Sequence, residues 1–461
     1  MRLVLIGYRG TGKTLTGRFL SGELGIPFLD TDALTEEYTG EKIPDIFAAK
    51  GEAGFRELEH TVIRALPPGN CVISTGGGAI LRPENAEILR KDATVILLSA
   101  TVDTIVSRIT GSDRPPLTGE PVREEVKQLL ASRRDAYFAA ADFCIPTDGQ
   151  TVRETGNRIL RLLRTGAILP AAREGALGFI RDTGISPEDK AAFEREVLPE
   201  SGHSLTKFFG IVGNPATHSK SPPLFNRLFA HYGIPGFYTR FQWDDIARIV
   251  EVAKMIDAKG LSVTIPFKEQ VMRCIDEVDP VAQEIGAVNT VVFCGGHSVG
   301  HNTDWLGIRE PLAHRAGARA VVLGAGGGAA AAVYALRDLG MEVTVLARNP
   351  AKAQAFAERS GCRALSLDRF PDVNPEVVVN ATPVGMHPDT NSPVPVSLLR
   401  KGMTIFDLVY TPAETPLVQG ARSAGCDVIT GTEMFVRQAA AQFRFFTGIA
   451  VPPDLIRSML P

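Results

Sequence analysis

The chain has no surplus of charge of either sign: 49 Lys and Arg against 52 Asp and Glu leave a formal net charge of −3 over 461 residues. Its basic residues are scattered among acids and form no stripe of the kind a nucleic-acid or anionic-membrane surface needs, so small-molecule partners are expected, with no nucleic acid and no membrane. Cysteine is sparse. Cys71, Cys144, Cys274, Cys294, Cys362 and Cys426 never form CxxC, which argues against a disulfide framework or a zinc cluster and predicts reduced, mostly buried thiols. No apolar run approaches the roughly 18 to 20 residues of a membrane span, and no internal repeat or low-complexity tract is present. The opening MRLVLIG turns into a glycine loop too soon for a signal peptide and reads as a first strand, making the cytoplasm the expected compartment. No two of the eight histidines show ligand spacing on a helix, so no protein-ligated metal site is expected, and His218 and His301 read as structural or substrate-adjacent.

What the chain has in quantity is alternation. Short β-branched runs at Leu3–Ile6, Cys71–Ser74, Thr94–Leu98, Ala320–Leu323, Val343–Leu346, Val377–Val379 and Thr404–Phe406 are separated by helical patterns, which predicts parallel α/β units. With 44% hydrophobic residues the chain has material for roughly three domains. The rhythm breaks at 165–205, where Pro, Gly and charge dominate around one helical pattern, Pro187–Val197; this stretch is expected to be a flexible linker without catalytic residues.

Gly7-Tyr8-Arg9-Gly10-Thr11-Gly12-Lys13-Thr14 fits GxxxxGK[ST] between an apolar strand and a helical pattern. In that setting the backbone of Gly7, Gly10, Thr11 and Gly12 cradles phosphates, Lys13 reaches the outer ones, and Thr14 offers a hydroxyl to magnesium, so ATP with Mg2+ is expected. Phe28-Leu29-Asp30-Thr31-Asp32 then places two carboxylates at a strand end, Arg56 follows on a helix, and Ser74-Thr75-Gly76-Gly77-Gly78 ends another strand. In this order the motifs resemble the shikimate kinase family over about residues 1–160. The resemblance implies Asp30 as a magnesium carboxylate acting through water, Asp32 as the group meeting the reacting hydroxyl, and Arg56 and Arg133 as grips on the shikimate carboxylate. It makes Gly76, Gly77 and Gly78 a backbone the ring can approach closely, and Arg114 the lid arginine over the ATP phosphates. Lys13, Asp32 and Arg114 would carry catalysis, because phosphoryl transfer is mostly positioning and neutralisation of spreading charge. Two segments depart from the family pattern, RPPL in place of RPLL and RRDAY in place of RxPLY. The second leaves Arg133 and Arg134 as alternatives, with spacing to Tyr137 favouring Arg133.

From Phe209 the chain reads FGIVGNPATHSKSPPLFN, whose Ser219 and Ser221, two apart, could point the same way on extended backbone and share one anion, although such a pair taken alone is more often an ordinary capping turn. LSVTIPFK, GAVNT and HNTDWLG follow, and the ordered set resembles shikimate dehydrogenase from about Phe208 onward. This implies Lys268 and Asp304 as a catalytic pair, and Ser219, Ser221, Thr264, Asn289, Tyr410 and Gln438 as further contacts to shikimate. The cofactor is legible with less help. AVVLGAGGGA is strand, glycine turn, then an alanine-rich helix from Ala329 to Leu339, suited to a dinucleotide pyrophosphate. At the next strand end stand Arg348 and Asn349 with no acid, which selects the 2′-phosphate of NADP(H). Gly324, Ala325, Gly326, Gly327, Gly328, Ala329, Arg348, Asn349, Thr382 and Gly431 are the expected NADP-binding set.

The expected architecture is therefore α/β: a P-loop kinase domain with a parallel, nucleoside-monophosphate-kinase-like sheet at 1–164, the linker, and a two-lobed α/β dehydrogenase. Its substrate-binding domain spans 206–303, completed by helices at 432–461, and a Rossmann NADP-binding domain spans 304–431. The implied function is reduction of 3-dehydroshikimate with NADPH joined to phosphorylation of shikimate with ATP. A quinate-directed dehydrogenase is the alternative, and a non-catalytic pathway regulator is disfavoured by the intact Lys13, Asp32, Lys268 and Asp304.

Overall fold

The computed structural model describes residues 1–110, 121–165 and 207–460, apart from 215, 217, 218, 235, 242 and 243. Arg114, His218 and all but the first residue of the expected linker lie outside the described residues.

Three sheets form, each where β-branched and leucine runs can be covered on both faces. β1 (Arg2–Ile6), β2 (Phe28–Asp30), β3 (Cys71–Ser74), β4 (Ala93–Ser99) and β5 (Phe143–Pro146) make a parallel sheet in the order β2-β3-β1-β4-β5. Side chains alternate across it: Leu3 and Leu5 enter one hydrophobic cluster and Val4 and Ile6 the opposite one, so the run is apolar throughout.

The second sheet is mixed, with β6 (Lys207–Val212), β7 (Gly236–Phe241), β8 (Gly260–Val263), β9 (Glu277–Val278), β10 (Thr290–Cys294) and β11 (His297–His301) in the order β7-β6-β8-β10-β11-β9. β10 runs antiparallel to β8 and β11, whereas β6 is parallel to both its neighbours. The third sheet is parallel: β12 (Arg319–Leu323), β13 (Glu342–Ala347), β14 (Arg363–Ser366), β15 (Val377–Asn380), β16 (Thr404–Asp407) and β17 (Asp427–Ile429), ordered β14-β13-β12-β15-β16-β17. That is the Rossmann order, whose crevice opens beyond the carboxyl ends of β12 and β15.

Three expectations change. Ser219 and Ser221 do not share an extended segment: Lys220 between them is helical (φ −81°, ψ −6°) and Ser221 begins the helix Ser221–His231. The reason is Pro222 and Pro223, which suit the first turn of a helix because they lack the N–H groups it leaves unpaired there. The alanine-rich helix spans Gly327–Asp338 and so starts inside the glycine turn, leaving first-turn N–H groups free at that turn. All six thiols are free, but only Cys71, Cys144 and Cys294 are buried, fewer than expected. Among the described residues no helix is long and apolar enough to cross a membrane.

The N- and C-terminal halves touch. Phe138, on the helix Val122–Ala140, packs against clusters from both halves, and Cys294 of β10 enters the N-terminal core. Arg90 donates to the Thr447 carbonyl (2.7 Å), Lys207 pairs with Asp142 (2.7 Å), and Arg134 pairs with Glu277.

Candidate active sites

The first site lies at the carboxyl ends of β1, β2 and β3. β1 breaks at Gly7, whose φ of +138° and close approach to the Leu98 carbonyl, 2.3 Å from where a Cβ would sit, admit only glycine. The helix Lys13–Leu24 opens there, and Lys13 Nζ donates to the carbonyls of Gly7 and Tyr8 (2.8 and 2.9 Å), folding the ammonium over the loop. Thr14 Oγ1 donates to Asp30 Oδ2 at 2.8 Å and lies 3.5 Å from Ser74 Oγ. One hydroxyl and one carboxylate are hard oxygen donors suited to Mg2+, which keeps most of its waters and takes phosphate oxygens besides. Ser74 was not singled out from sequence; its only signal is a hydroxyl at the end of a strand beside the phosphate loop.

Asp32, Arg56, Arg133 and the glycine run converge. A Cβ on Gly76 would lie 2.7 Å from Asp32 Oδ1, one on Gly78 2.3 Å from Arg56 Nη2, and one on Gly77 3.8 Å from Arg133 Nη1. The glycines thus make room for the protein's own charged groups. Arg133, buried, donates to the Gly77 carbonyl at 3.3 Å, as does the Tyr137 hydroxyl at 2.5 Å; Arg134 turns away to Glu277. Sequence reasoning passed over Glu59, which is 1% exposed and pairs with Arg56 at 2.8 Å. Burial pushes its carboxyl up, Arg56 pulls it back, and nearby Asp32 adds to the rise. Its signal was spacing alone: three residues after Arg56, it faces the same side of the helix.

The second site lies between the second and third sheets. Lys268 Nζ donates to Asp304 Oδ2 at 2.5 Å, and Asn289 Nδ2 donates to Asp304 Oδ1 at 2.7 Å. Asp304 is 3% exposed and opens the helix Asp304–Leu312. A Cβ on Gly327 would sit 3.8 Å from Lys268 Cδ, so the lysine lies against the glycine turn. Gly324 (φ +113°) abuts the Ala381 carbonyl and Thr382 Cγ2, placing Thr382 at the same crevice, while Arg348 and Asn349 are exposed just beyond β13. This strand, turn and helix N-terminus fits a dinucleotide pyrophosphate, with Arg348 exposed at the strand end.

Ser219 Oγ accepts the Ser221 N–H (3.2 Å), Arg240 donates to the Ser219 carbonyl (2.9 Å), and Thr264 follows β8, its N–H on the Val212 carbonyl (2.9 Å). Gln438 turns its amide onto Phe435 O (3.2 Å) and Tyr410 packs on the Phe435 ring (5.5 Å between centroids), so neither meets Lys268 or Asp304 through these contacts. Gly431 accommodates the Val409 carbonyl, 2.5 Å from where its Cβ would be. Gln442, one turn beyond Gln438 on the helix Gly431–Thr447, was missed: it donates to the Asn289 carbonyl (3.1 Å) and Thr290 Oγ1 (3.0 Å) and accepts from Ser262 (2.9 Å).

Residues 9–164 match the family model for shikimate kinase, residues 211–291 that for the shikimate dehydrogenase substrate binding domain, and residues 431–458 that for the shikimate 5′-dehydrogenase C-terminal domain. The NADP(+) shikimate dehydrogenase of Pyrococcus abyssi is 38% identical over 257 residues, 54% of this chain and 96% of that protein. The chain belongs to the shikimate dehydrogenase family. A shikimate kinase domain precedes the dehydrogenase part in the same chain. The shikimate 5-dehydrogenase of Thermus thermophilus, solved with NADP(H) and shikimate, is similar with a TM-score of 0.52 and 34% identity, covering 55% of this chain and 98% of that one. The quinate dehydrogenase of Corynebacterium glutamicum, solved with NAD, is similar with a TM-score of 0.52 and 32% identity over the same shares.

Proposed function

We propose that the chain reduces 3-dehydroshikimate to shikimate with NADPH in its dehydrogenase part and phosphorylates shikimate with ATP and Mg2+ in its kinase part. The observation that carries this reading is the Lys268–Asp304 pair set against Gly327 of the dinucleotide turn. NADPH, when bound, supplies hydride to the substrate carbonyl. Lys268 gives a proton to the oxygen that gains charge, and Asp304, oriented by Asn289, holds the ammonium in place. Ser219, Ser221 and Thr264 bind the carboxylate and ring hydroxyls together with Tyr410 and Gln438, and Arg348 with Asn349 meets the 2′-phosphate.

In the kinase part, ATP with Mg2+ supplies the phosphoryl group. Lys13 leaves the Gly7 and Tyr8 carbonyls for the phosphates, Thr14 and Asp30 hold the ion, and Asp32 accepts the proton of the attacking hydroxyl. Arg56 and Arg133, gathered at the glycine run, take the carboxylate, and the convergence there supports Arg133 over Arg134. On this reading the kinase occupies 1–164, the substrate-binding lobe 206–303 with 432–461, and the NADP lobe 304–431.

The test is a reconstitution with 3-dehydroshikimate, NADPH, ATP and Mg2+: phosphorylated shikimate is expected only when all four are present, and NADPH oxidation alone should stop at shikimate. Absence of NADPH oxidation overturns the dehydrogenase reading. The likeness to a quinate dehydrogenase supports quinate as a second substrate, which initial rates on the two compounds would decide.

A further inference from the structure

The helix Val122–Ala140 of the kinase part faces two ways. On one side Glu125 pairs with Arg9 of the phosphate loop, and Arg133 and Tyr137 hold the Gly77 carbonyl. On the other side the same helix meets the dehydrogenase part. Arg134 pairs with Glu277 of β9, and Asp135 Oδ1 stands 3.7 Å from Nε2 of His301, the last residue of β11.

His301 is 3% exposed and stacked on Phe445 of the helix Gly431–Thr447, with ring centroids 4.1 Å apart and planes at 24°. Its Nδ1 is 2.7 Å from Asp279 Oδ2, while Nε2 has no hydrogen-bond partner among the described residues. Asp279 is a fixed anchor, because its other oxygen caps the helix Pro280–Ile285 through the N–H groups of Val281 and Ala282 (2.8 and 3.0 Å). Burial alone would raise the Asp279 carboxyl, but His301 and those N–H groups hold it below the usual range. The ring is thus clamped on one nitrogen from within the dehydrogenase and faced on the other by a carboxylate of the kinase.

The backbone of His301 leads directly into the turn that carries Asp304. The His301 carbonyl accepts the Asn289 N–H (3.0 Å), and the Asn289 amide donates to Thr303 Oγ1 (3.0 Å) and Asp304 Oδ1 (2.7 Å). Asn302 Oδ1 accepts the Asp304 N–H at 3.0 Å and its amide donates to the Ala287 carbonyl at 2.9 Å. A change in the ring's seat therefore reaches Asp304 by two routes, through the chain from His301 and through Asn289. Packed interiors pass such shifts on without absorbing them.

Resting on the dehydrogenase reading above, we infer that Asp135 and His301 are positioning residues of the dehydrogenase reaction, through which the kinase helix fixes the Asn302–Asp304 turn. Asp304 orients the Lys268 ammonium, and that ammonium interacts most strongly with the oxygen as charge builds in the transition state. The loss should therefore fall on kcat and leave KM nearly unchanged.

The experiment uses the full chain with Asp135→Ala, Asp135→Glu, His301→Phe and the double variant Asp135→Ala/His301→Phe, reading kcat and both KM values of NADPH-dependent reduction. Asp135 is half exposed, so its replacement does not threaten folding, and Phe keeps the stack on Phe445. Asp135→Ala and His301→Phe should each lower kcat about three- to tenfold with KM within about twofold, the range of coupling through packed side chains. The double variant should be no slower than His301→Phe alone, because that substitution already removes the ring that Asp135 faces, and Asp135→Glu should recover most of the rate. An unchanged kcat in Asp135→Ala, effects that multiply in the double variant, or a loss confined to KM overturns the inference. If His301→Phe does not fold, Asp135→Ala against Asp135→Glu decides. A wild-type chain with no NADPH-dependent reduction sinks the functional reading itself, which separates that failure from this one.

Discussion

Replacing Lys268 by Ala removes the side chain proposed to protonate the nascent alkoxide while leaving the rest of the dehydrogenase crevice in place. Donation by a positioned acid contributes about 10² to 10⁴ in rate, or about 3 to 5 kcal/mol of transition-state stabilisation. The ground-state ketone is neutral and gains less from the ammonium, so kcat should fall by that factor while KM for 3-dehydroshikimate moves only a few-fold. The cost to stability should be smaller. Lys268 is 19% exposed, and without it Asp304 keeps the Asn289 amide at 2.7 Å and a place at a helix N-terminus. That places the loss between the limits for exposed and buried pairs, about 1 to 3 kcal/mol, a melting-temperature drop of a few degrees. Rates come from NADPH absorbance over a range of 3-dehydroshikimate, with melting followed by circular dichroism and kinase turnover measured on the same preparation. Lys13→Ala is the mirror: it removes the ammonium that bridges Gly7 and Tyr8 and should abolish phosphorylation while leaving reduction near wild type. A Lys268→Ala chain that is folded and reduces at more than about a tenth of the wild-type rate would refute proton donation by this lysine. Loss of both activities in folded protein would refute the assignment of one chemistry to each part.

Two further outcomes follow from the same geometry. Arg348→Ala should weaken NADPH by about tenfold or more, the worth of a charge-assisted bond to phosphate, with NADH little affected; an equal loss with both cofactors in initial-rate kinetics would show that Arg348 serves the fold. Glu59→Gln should split stability from function: the folded carboxyl is raised above its unfolded value, so wild-type folding takes up a proton and loses stability as pH climbs from the unfolded pKa of about 4.3 through the folded one. The variant's melting temperature, relative to wild type, should therefore improve from pH 4 to pH 7 while its KM for shikimate rises, Arg56 having lost its 2.8 Å partner. A melting difference that does not vary with pH would contradict the burial argument.

The two parallel sheets were legible because each central strand is apolar on both faces, whereas the mixed sheet between them in the chain, with β10 antiparallel to β8 and β11, was not anticipated by the expectation of parallel units. The loops were legible because glycine is demanded by backbone that no other residue can adopt. Gly7 and Gly324 mark the two nucleotide turns in sequence as plainly as in space. Partners drawn from remote elements were not legible. Ser74 joins Thr14 only because β3 lies beside β1, and Gln442 reaches Asn289 only because the helix Gly431–Thr447 packs on the second sheet. The serine pair was half legible: the extended period of two does not hold for Ser219 and Ser221, but the capping-turn alternative does, with Ser219 Oγ accepting the Ser221 N–H where the two prolines begin a helix.

Arg133 and Arg134, rivals in the sequence for one substrate contact, are sent to different partners by the helix. Spacing to Tyr137 made them rivals for a single task, yet neighbours on a helix are about 100° apart around its axis and cannot face the same group. Once Arg133 and Tyr137, four apart on one face, both reach the Gly77 carbonyl, Arg134 must leave that face. In a kinase standing alone it would enter water, and its sequence would read as a solvated charge. Here Glu277 receives it and His301 stands beyond Asp135, so the face next to the substrate arginine is the one that touches the other enzyme. On the proposals above, adjacent residues of one helix serve two active sites, a division that follows from helical geometry and is visible only when both halves are present.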